Sequence, residues 1–176
     1  MAFSSVHEMI DLCKESGKPL YEVILESDLA ESGLTRAESE AEMHRLWAVM
    51  QATSDGYCGA DRSMSGFAGG DAAKVNAAAA RGVLYADGYF ADVMAEALKT
   101  AECNACMKRI VAAPTAGSCG VLPAVLLPMC KYEELSQHRI LEALYVASGI
   151  GAVIAYKACI AGASGGCQAE IGTASA

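Results

Sequence analysis

The sequence has 176 residues, 53% of them hydrophobic and 19% charged, which excludes a disordered chain and predicts one domain with a real core. Its formal net charge of −8 argues against nucleic-acid binding, because an acidic surface repels a polyanion. The first residues lack the basic segment and apolar run of a signal peptide, so the eight cysteines are predicted to be free thiols of a cytoplasmic protein.

The N-terminal part of the chain predicts three helices. Ser5 and Glu8 form a capping box ahead of apolar residues at helical spacing. A second apolar run follows, and Thr35 and Glu38 form another capping box before a long amphipathic helix. We assign residues 1–55 to an N-terminal helical arm.

Residues 56–176 are predicted to form a compact helical core that is rich in alanine and glycine. Alanine-rich segments predict helices over 72–82 and 89–109, and Pro123 fits the first turn of a further helix. No segment alternates apolar and polar residues as a half-buried strand does. The fold class is therefore predicted to be all-α.

A last long helix is predicted after Ser136, which suits an N-cap. Its apolar stretch is bounded by Glu142 and Lys157, too closely to span a bilayer, so it is interpreted as a core helix and no membrane is expected. Gly149 and Gly151 within it are predicted to allow close approach of a neighbouring helix.

Three polar, glycine-rich segments interrupt the helical pattern, at residues 54–71, 112–120 and 162–168. Long loops inside compact domains often carry function, and a polar loop before a helix, such as 112–120, suits a carboxylate. If the fold brings the three together, they form a pocket for a small anionic substrate and a thiolate-bound metal.

Cys167 follows a glycine-rich turn at the predicted start of a helix. The unpaired N–H groups of a first helical turn favour a thiolate, so this cysteine is a candidate metal ligand or nucleophile; the alternative is a small buried hydrophobic residue. Cys103 and Cys106 have redox-pair spacing but lie in a predicted helix, without the strand that such a motif follows.

Two segments closely resemble the signature segments of the iron–sulfur L-serine dehydratase alpha chain. They are Ala-Ala-Pro-Thr-Ala-Gly-Ser-Cys-Gly-Val-Leu-Pro at 112–123 and Gly-Ala-Ser-Gly-Gly-Cys-Gln-Ala-Glu at 162–170. Residues 63–66 and Asn104 are similar to the same family. The resemblance covers residues 50–176 and is weaker before them.

The resemblance implies a lyase that eliminates water from L-serine to give pyruvate and ammonia, in amino-acid degradation and gluconeogenesis. In that family three cysteines hold a [4Fe-4S] cluster, whose open iron polarises the serine hydroxyl while a base removes the α-proton. Pyridoxal phosphate is not needed. A histidine proposed as the base belongs to a separate beta chain, and no histidine here matches it, so no catalytic residue is assigned.

Carried over by motif position, Cys167 matches the first cluster cysteine. The substrate-binding residues that the resemblance implies are Ser63, Ser65, Gly66, Asn104, Thr115, Gly117 and Ser118. The family's other two cluster cysteines would fall beyond Ala176. We therefore expect a truncated alpha chain that binds no stable cluster and has no dehydratase activity alone.

The implied partners are L-serine, a separate beta chain and further copies in a homo- or hetero-oligomer. Two other functions stay open. One is a cysteine desulfidase-type lyase of the same fold, and the other is a non-catalytic helical assembly subunit whose glycine-rich segments serve close packing.

Overall fold

The computed structural model describes residues 3–86 and 88–176. Over these ranges the chain is helical and contains no strand, which confirms the all-α prediction. The helices are α1 (Val6–Ser16), α2 (Leu20–Ser32), α3 (Arg36–Asp55), α4 (Asp71–Ala80), α5 (Gly88–Ala105), α6 (Val121–Glu133), α7 (Gln137–Lys157), α8 (Gly162–Gly165) and α9 (Cys167–Ser175).

Local capping residues start the first and third helices. The Glu8 amide donates to Ser5 Oγ at 3.1 Å, but the Glu8 carboxylate accepts from the Ser4 amide at 2.8 Å, so half of this capping box forms as predicted. The second box forms completely. The Glu38 amide donates to Thr35 Oγ1 at 3.3 Å, and the Thr35 amide donates to Glu38 Oε2 at 2.8 Å.

The chain divides into two compact units. Unit 1 comprises the described residues up to Arg45 together with Ser136–Ala176, and unit 2 comprises Leu46–Leu135. This division differs from the sequence-based one, an arm at 1–55 and a core at 56–176, which stays a prediction.

In unit 1, helices α1 and α7 both pack near α2. The buried core of this unit contains Phe3, Met9, Val23, Ile24 and Val153. A Cβ added at Gly149 would lie 2.6 Å from Ile24 Cδ1 and 2.8 Å from Met9 Cε, so the close approach predicted there is confirmed. At Gly151 the same Cβ would meet nothing within 4 Å, and the prediction for that glycine is wrong.

Helix α7 is, among the described residues, the one long and apolar enough to cross a membrane by length and composition. A core helix passes the same test, and α7 has buried residues along its length. They are Ile140, Leu141, Leu144, Tyr145, Gly149 and Val153. The burial of these residues supports the interpretation of α7 as a core helix of unit 1.

Replacing Gly149 with alanine is expected to lower the free energy of unfolding by about 1–3 kcal/mol, because the new methyl group overpacks the core. Gly151→Ala is the matched control in the same helix. It is expected to raise that free energy by about 0.5–1 kcal/mol, because alanine favours a helix where space is open. Urea denaturation of both variants measures the difference, and effects of equal sign would contradict the prediction.

In unit 2, helix α5 packs against α4 and α6 and contacts the 3-10 turn Ala116–Ser118. Small buried residues such as Ala91 and Ala95 let its neighbours approach closely. A Cβ at Gly120 would lie 2.6 Å from the Ala97 carbonyl oxygen, so the start of α6 also lies against α5. The loops that precede α4 and α6 therefore lie close to α5.

Two of the three predicted glycine-rich segments are irregular, and we call them loop A (residues 56–70) and loop B (residues 112–120). The third differs from the prediction. Gly162–Gly165 forms the short helix α8, and Cys167 begins α9 directly after Gly166. The loop predicted at 162–168 is thus mostly helical, and Gly166 alone joins the two helices, with a positive φ and an extended ψ that favour glycine.

Candidate functional site

The tip of loop A is a tight, hydrogen-bonded turn that carries two of the predicted substrate-binding hydroxyls. Ser63 Oγ and Ser65 Oγ lie 3.1 Å apart, and the Ala68 amide donates to Ser63 Oγ at 3.1 Å. Gly66 has a φ of 76°, and its amide donates to the Ser63 carbonyl at 2.8 Å. The turn brings Ser63, Ser65 and Gly66 together at an exposed edge of unit 2.

Loop B pairs the two other predicted hydroxyls. Thr115 Oγ1 and Ser118 Oγ lie 3.0 Å apart across the 3-10 turn that contains Gly117. Ser118 is buried, at 4% exposure, whereas Gly117 is exposed. Helix α6 begins three residues after Ser118, so the hydroxyl pair lies close in sequence to the positive end of that helix dipole.

Asn104 lies in the last turn of α5 and ties loop B to it. Its Nδ2 donates to the Ala116 carbonyl at 2.9 Å. This bond fixes the 3-10 turn against the helix end, so Asn104, Thr115, Gly117 and Ser118 form one local group in unit 2.

Glu102 lies in the same turn of α5 as Asn104 and was not singled out from the sequence. Its side chain is buried, at 6% exposure, and its carboxylate accepts from the Tyr57 hydroxyl at 2.6 Å. It also accepts from the amides of Gly70, Asp71 and Ala72 at 2.9, 2.6 and 3.3 Å. The sequence signal that could have indicated Glu102 is a glutamate on the buried face of an alanine-rich helix, because a buried carboxylate needs hydrogen-bond partners.

The C-terminal turn of α5 thus holds both loops. Glu102 binds the two ends of loop A, and Asn104 binds loop B. Both loops are thus bound to the last turn of α5, and the pocket predicted from the three segments stays a prediction.

A shallow groove, too narrow to enclose a water molecule, lies beside this helix end. Its lining residues are Tyr57, Cys58, Asp61, Gly69, Glu102, Cys103, Cys106 and Lys108. Lys108 Nζ pairs with the Asp61 carboxylate. Burial raises the pKa of the Cys103 thiol, which keeps it protonated and a poor nucleophile. Redox chemistry at this Cys-x-x-Cys pair is therefore not favoured.

Cys167 is the first residue of α9, as the sequence predicted. Gly166 precedes it with a φ of 76°, and the thiol is exposed, with Sγ 4.0 Å from Gln168 Oε1. The alternative of a buried hydrophobic residue is wrong. Cys167 belongs to unit 1, whereas the predicted substrate-binding residues belong to unit 2.

The [4Fe-4S] cluster that the resemblance implies requires several ligands held close together. Over 3–86 and 88–176, no group of three or more His, Cys, Asp or Glu side chains is placed to hold a metal ion. A cluster of this kind needs several thiolates, so these residues do not by themselves fit it. Cys167 supplies one exposed thiol, which further ligands would have to complement.

A protein-family model described as "Serine dehydratase alpha chain" matches residues 15–176. The chain belongs to the serine dehydratase alpha chain family. The match includes loop A, loop B and the Cys167 segment, so the resemblance noted in their residues is confirmed at the family level. No solved structure gives a significant match.

Curated relatives cover nearly the whole chain. It is 36% identical to the L-serine dehydratase alpha chain of Peptoniphilus asaccharolyticus, covering 98% of this chain and 60% of the relative. It is 33% identical to the probable L-serine dehydratase alpha chain of Bacillus subtilis, covering 98% and 58%. It is also 33% identical to L-serine dehydratase TdcG of Escherichia coli, covering 98% and 39%. The chain therefore spans about 60% or less of the length of these relatives.

Proposed function

We propose that this chain is part of the alpha subunit of an L-serine dehydratase, a carbon–nitrogen lyase that converts L-serine to pyruvate and ammonia. The proposal is supported by the names of the relatives and by one observation above the others. That observation is the Thr115–Ser118 hydroxyl pair, which Asn104 holds at the end of α5 next to the start of α6.

In this proposal loop B binds the carboxylate of serine. Hydroxyl donors are suited to carboxylate oxygens, and charge-assisted hydrogen bonds of this kind are the strong ones. The positive end of the α6 dipole adds to the attraction. Ser63 and Ser65 on loop A supply further hydroxyls for the polar groups of the substrate, which makes recognition specific for a small, hydroxylated amino acid.

The complete protein is further proposed to be a cytoplasmic oligomer that includes a separate beta chain. It would carry a [4Fe-4S] cluster with Cys167 as one ligand and would need no pyridoxal phosphate. The exposed position of Cys167 at the start of α9 supports its role as a ligand, because it leaves the sulfur accessible to a metal.

The proposal is tested by product analysis of the complete enzyme. Pyruvate release from L-serine is expected. Release of sulfide and pyruvate from L-cysteine, with no turnover of L-serine, would identify the desulfidase-type alternative. Turnover of neither substrate, by enzyme with its partner chain and iron, would favour the non-catalytic assembly subunit.

Loop B variants are expected to weaken substrate binding in that enzyme. Thr115→Val and Ser118→Ala each remove one hydroxyl, and each should raise KM for L-serine about tenfold, the effect of about 1.4 kcal/mol. Ser136→Ala, which removes the capping hydroxyl of α7 in unit 1, is the control and should leave KM unchanged. Steady-state pyruvate assays measure these values, and an unchanged KM in both loop B variants would contradict the role of loop B.

A further inference from the structure

Helix α4 begins without a capping side chain of its own. Its N-cap residue is Gly70, which has a φ of 88° and no side chain to accept a hydrogen bond. The first four amides of a helix have no intrahelical acceptor and must find other partners. In α4 these are the amides of Gly70, Asp71, Ala72 and Ala73.

Two side chains from elsewhere in unit 2 satisfy all four amides. The Glu102 carboxylate accepts from Gly70, Asp71 and Ala72. The amide of Ala73 donates to Tyr57 Oη at 3.3 Å, and that hydroxyl donates its own proton to Glu102 at 2.6 Å. Burial and the hydrogen bond to Glu102 raise the pKa of Tyr57 to about 12, so the hydroxyl keeps the proton that it donates.

The same contacts close loop A. Tyr57 lies at the beginning of the loop and Gly70 at its end, and both bind the one carboxylate. The end of the loop also approaches its own beginning closely, since a Cβ at Gly70 would lie 3.0 Å from the Gly59 carbonyl. Ser63 and Ser65 therefore lie on a segment whose two ends are fixed at a single buried point on α5.

Glu102 has no capacity left for proton transfer. A carboxylate offers about four lone-pair sites, and four donors occupy them here. Its burial beneath loop A also separates it from solvent. These contacts give it a structural role toward the loop and exclude it as a free general base.

We propose that Glu102, with Tyr57, is a positioning residue that clamps loop A and thereby sets the position of Ser63 and Ser65 for substrate binding. The clamp acts through the loop and does not touch the substrate. Asn104 holds loop B from the same turn of α5, so the clamp and Asn104 together fix both hydroxyl-bearing loops to one helix. This inference rests on the proposed function, in which those serines bind L-serine.

The first arm of the test follows the loop in the complete enzyme by hydrogen–deuterium exchange. In Glu102→Gln the amide NH2 group faces at least one backbone N–H donor in either orientation, so the clamp is weakened while the side-chain size is kept. Exchange in peptides covering residues 57–73 is expected to rise about tenfold or more. Glu96→Gln is the matched control, a glutamate on the same helix that binds Ser54 and Lys99, and it should leave exchange in that segment unchanged.

The second arm measures steady-state kinetics with L-serine. A positioning role predicts that Glu102→Gln raises KM about tenfold and changes kcat less than threefold, whereas general loss of folded enzyme lowers kcat and leaves KM unchanged. Tyr57→Phe keeps the ring and removes one partner of the clamp, so it should give the same pattern with smaller changes. It also serves if Glu102→Gln fails to fold.

The outcomes separate the two proposals. Faster exchange with a raised KM supports the clamp as a positioning device. Exchange at the wild-type rate, or faster exchange with an unchanged KM, overturns it. If wild-type enzyme does not turn over L-serine, the proposed function fails, and the inference about substrate positioning fails with it, while the exchange data still decide whether Glu102 holds loop A.

Discussion

Replacing Cys167 with serine in the complete enzyme is expected to abolish both iron binding and serine dehydration. A serine hydroxyl is not ionised at neutral pH and is a harder ligand, so it is a much weaker ligand than a thiolate at an iron–sulfur cluster. Loss of groups that merely support metal ligands costs 10–100-fold, so loss of a ligand should lower activity by more than about a hundredfold. Iron content per chain and the rate of pyruvate release measure the two effects.

Cys159→Ser is the matched control for this substitution. Cys159 is also exposed in unit 1, and its Sγ lies 3.0 Å from Ser164 Oγ, a bond that lowers the pKa of the thiol. It precedes the motif that Cys167 matches, so its substitution should leave iron content and activity near the wild-type values. Full iron content and activity in Cys167→Ser would contradict the ligand role.

The predictable parts of the fold are those whose causes are local in the sequence. The capping box of Thr35 and Glu38 forms between residues three apart, and Ser136 caps α7 through the amide of Arg139 at 3.3 Å. Helical periodicity and alanine content predicted the other long helices. The pairing of Thr115 with Ser118 and the placement of Cys167 at a helix start belong to the same class, because they depend on a few adjacent residues.

The clamp at Glu102 was not predictable in the same way. Its partners lie 30 to 45 positions earlier in the sequence, and no periodicity or spacing rule connects a glutamate in one helix with the uncapped start of another. The helix at Gly162–Gly165 was missed for a different reason. Glycine is a poor helix former, so composition predicted a loop where a short helical turn forms.

Replacing Gly69 with alanine is expected to destabilise unit 2 by about 2–6 kcal/mol, through two costs that add. The residue has a φ of 124°, a conformation that costs a non-glycine residue about 1–3 kcal/mol. The added Cβ would also lie 2.2 Å from the Asp61 carbonyl oxygen and 3.2 Å from Arg62 Cα. These are backbone atoms, so the loop itself must move, and overpacking of this kind typically costs 1–3 kcal/mol.

Gly66→Ala separates the two costs, because it shares the positive φ without the clash. Its φ is 76° and its added Cβ would meet nothing within 4 Å, so a loss of about 1–2 kcal/mol is expected from the left-handed conformation alone. Denaturant unfolding of both variants measures the difference. Equal losses would mean that loop A yields at Asp61 without cost. A larger loss of stability in Gly69→Ala would show that the backbone at Asp61 cannot move aside without cost to make room for a Cβ. Gly69 directly precedes the amides that Glu102 binds.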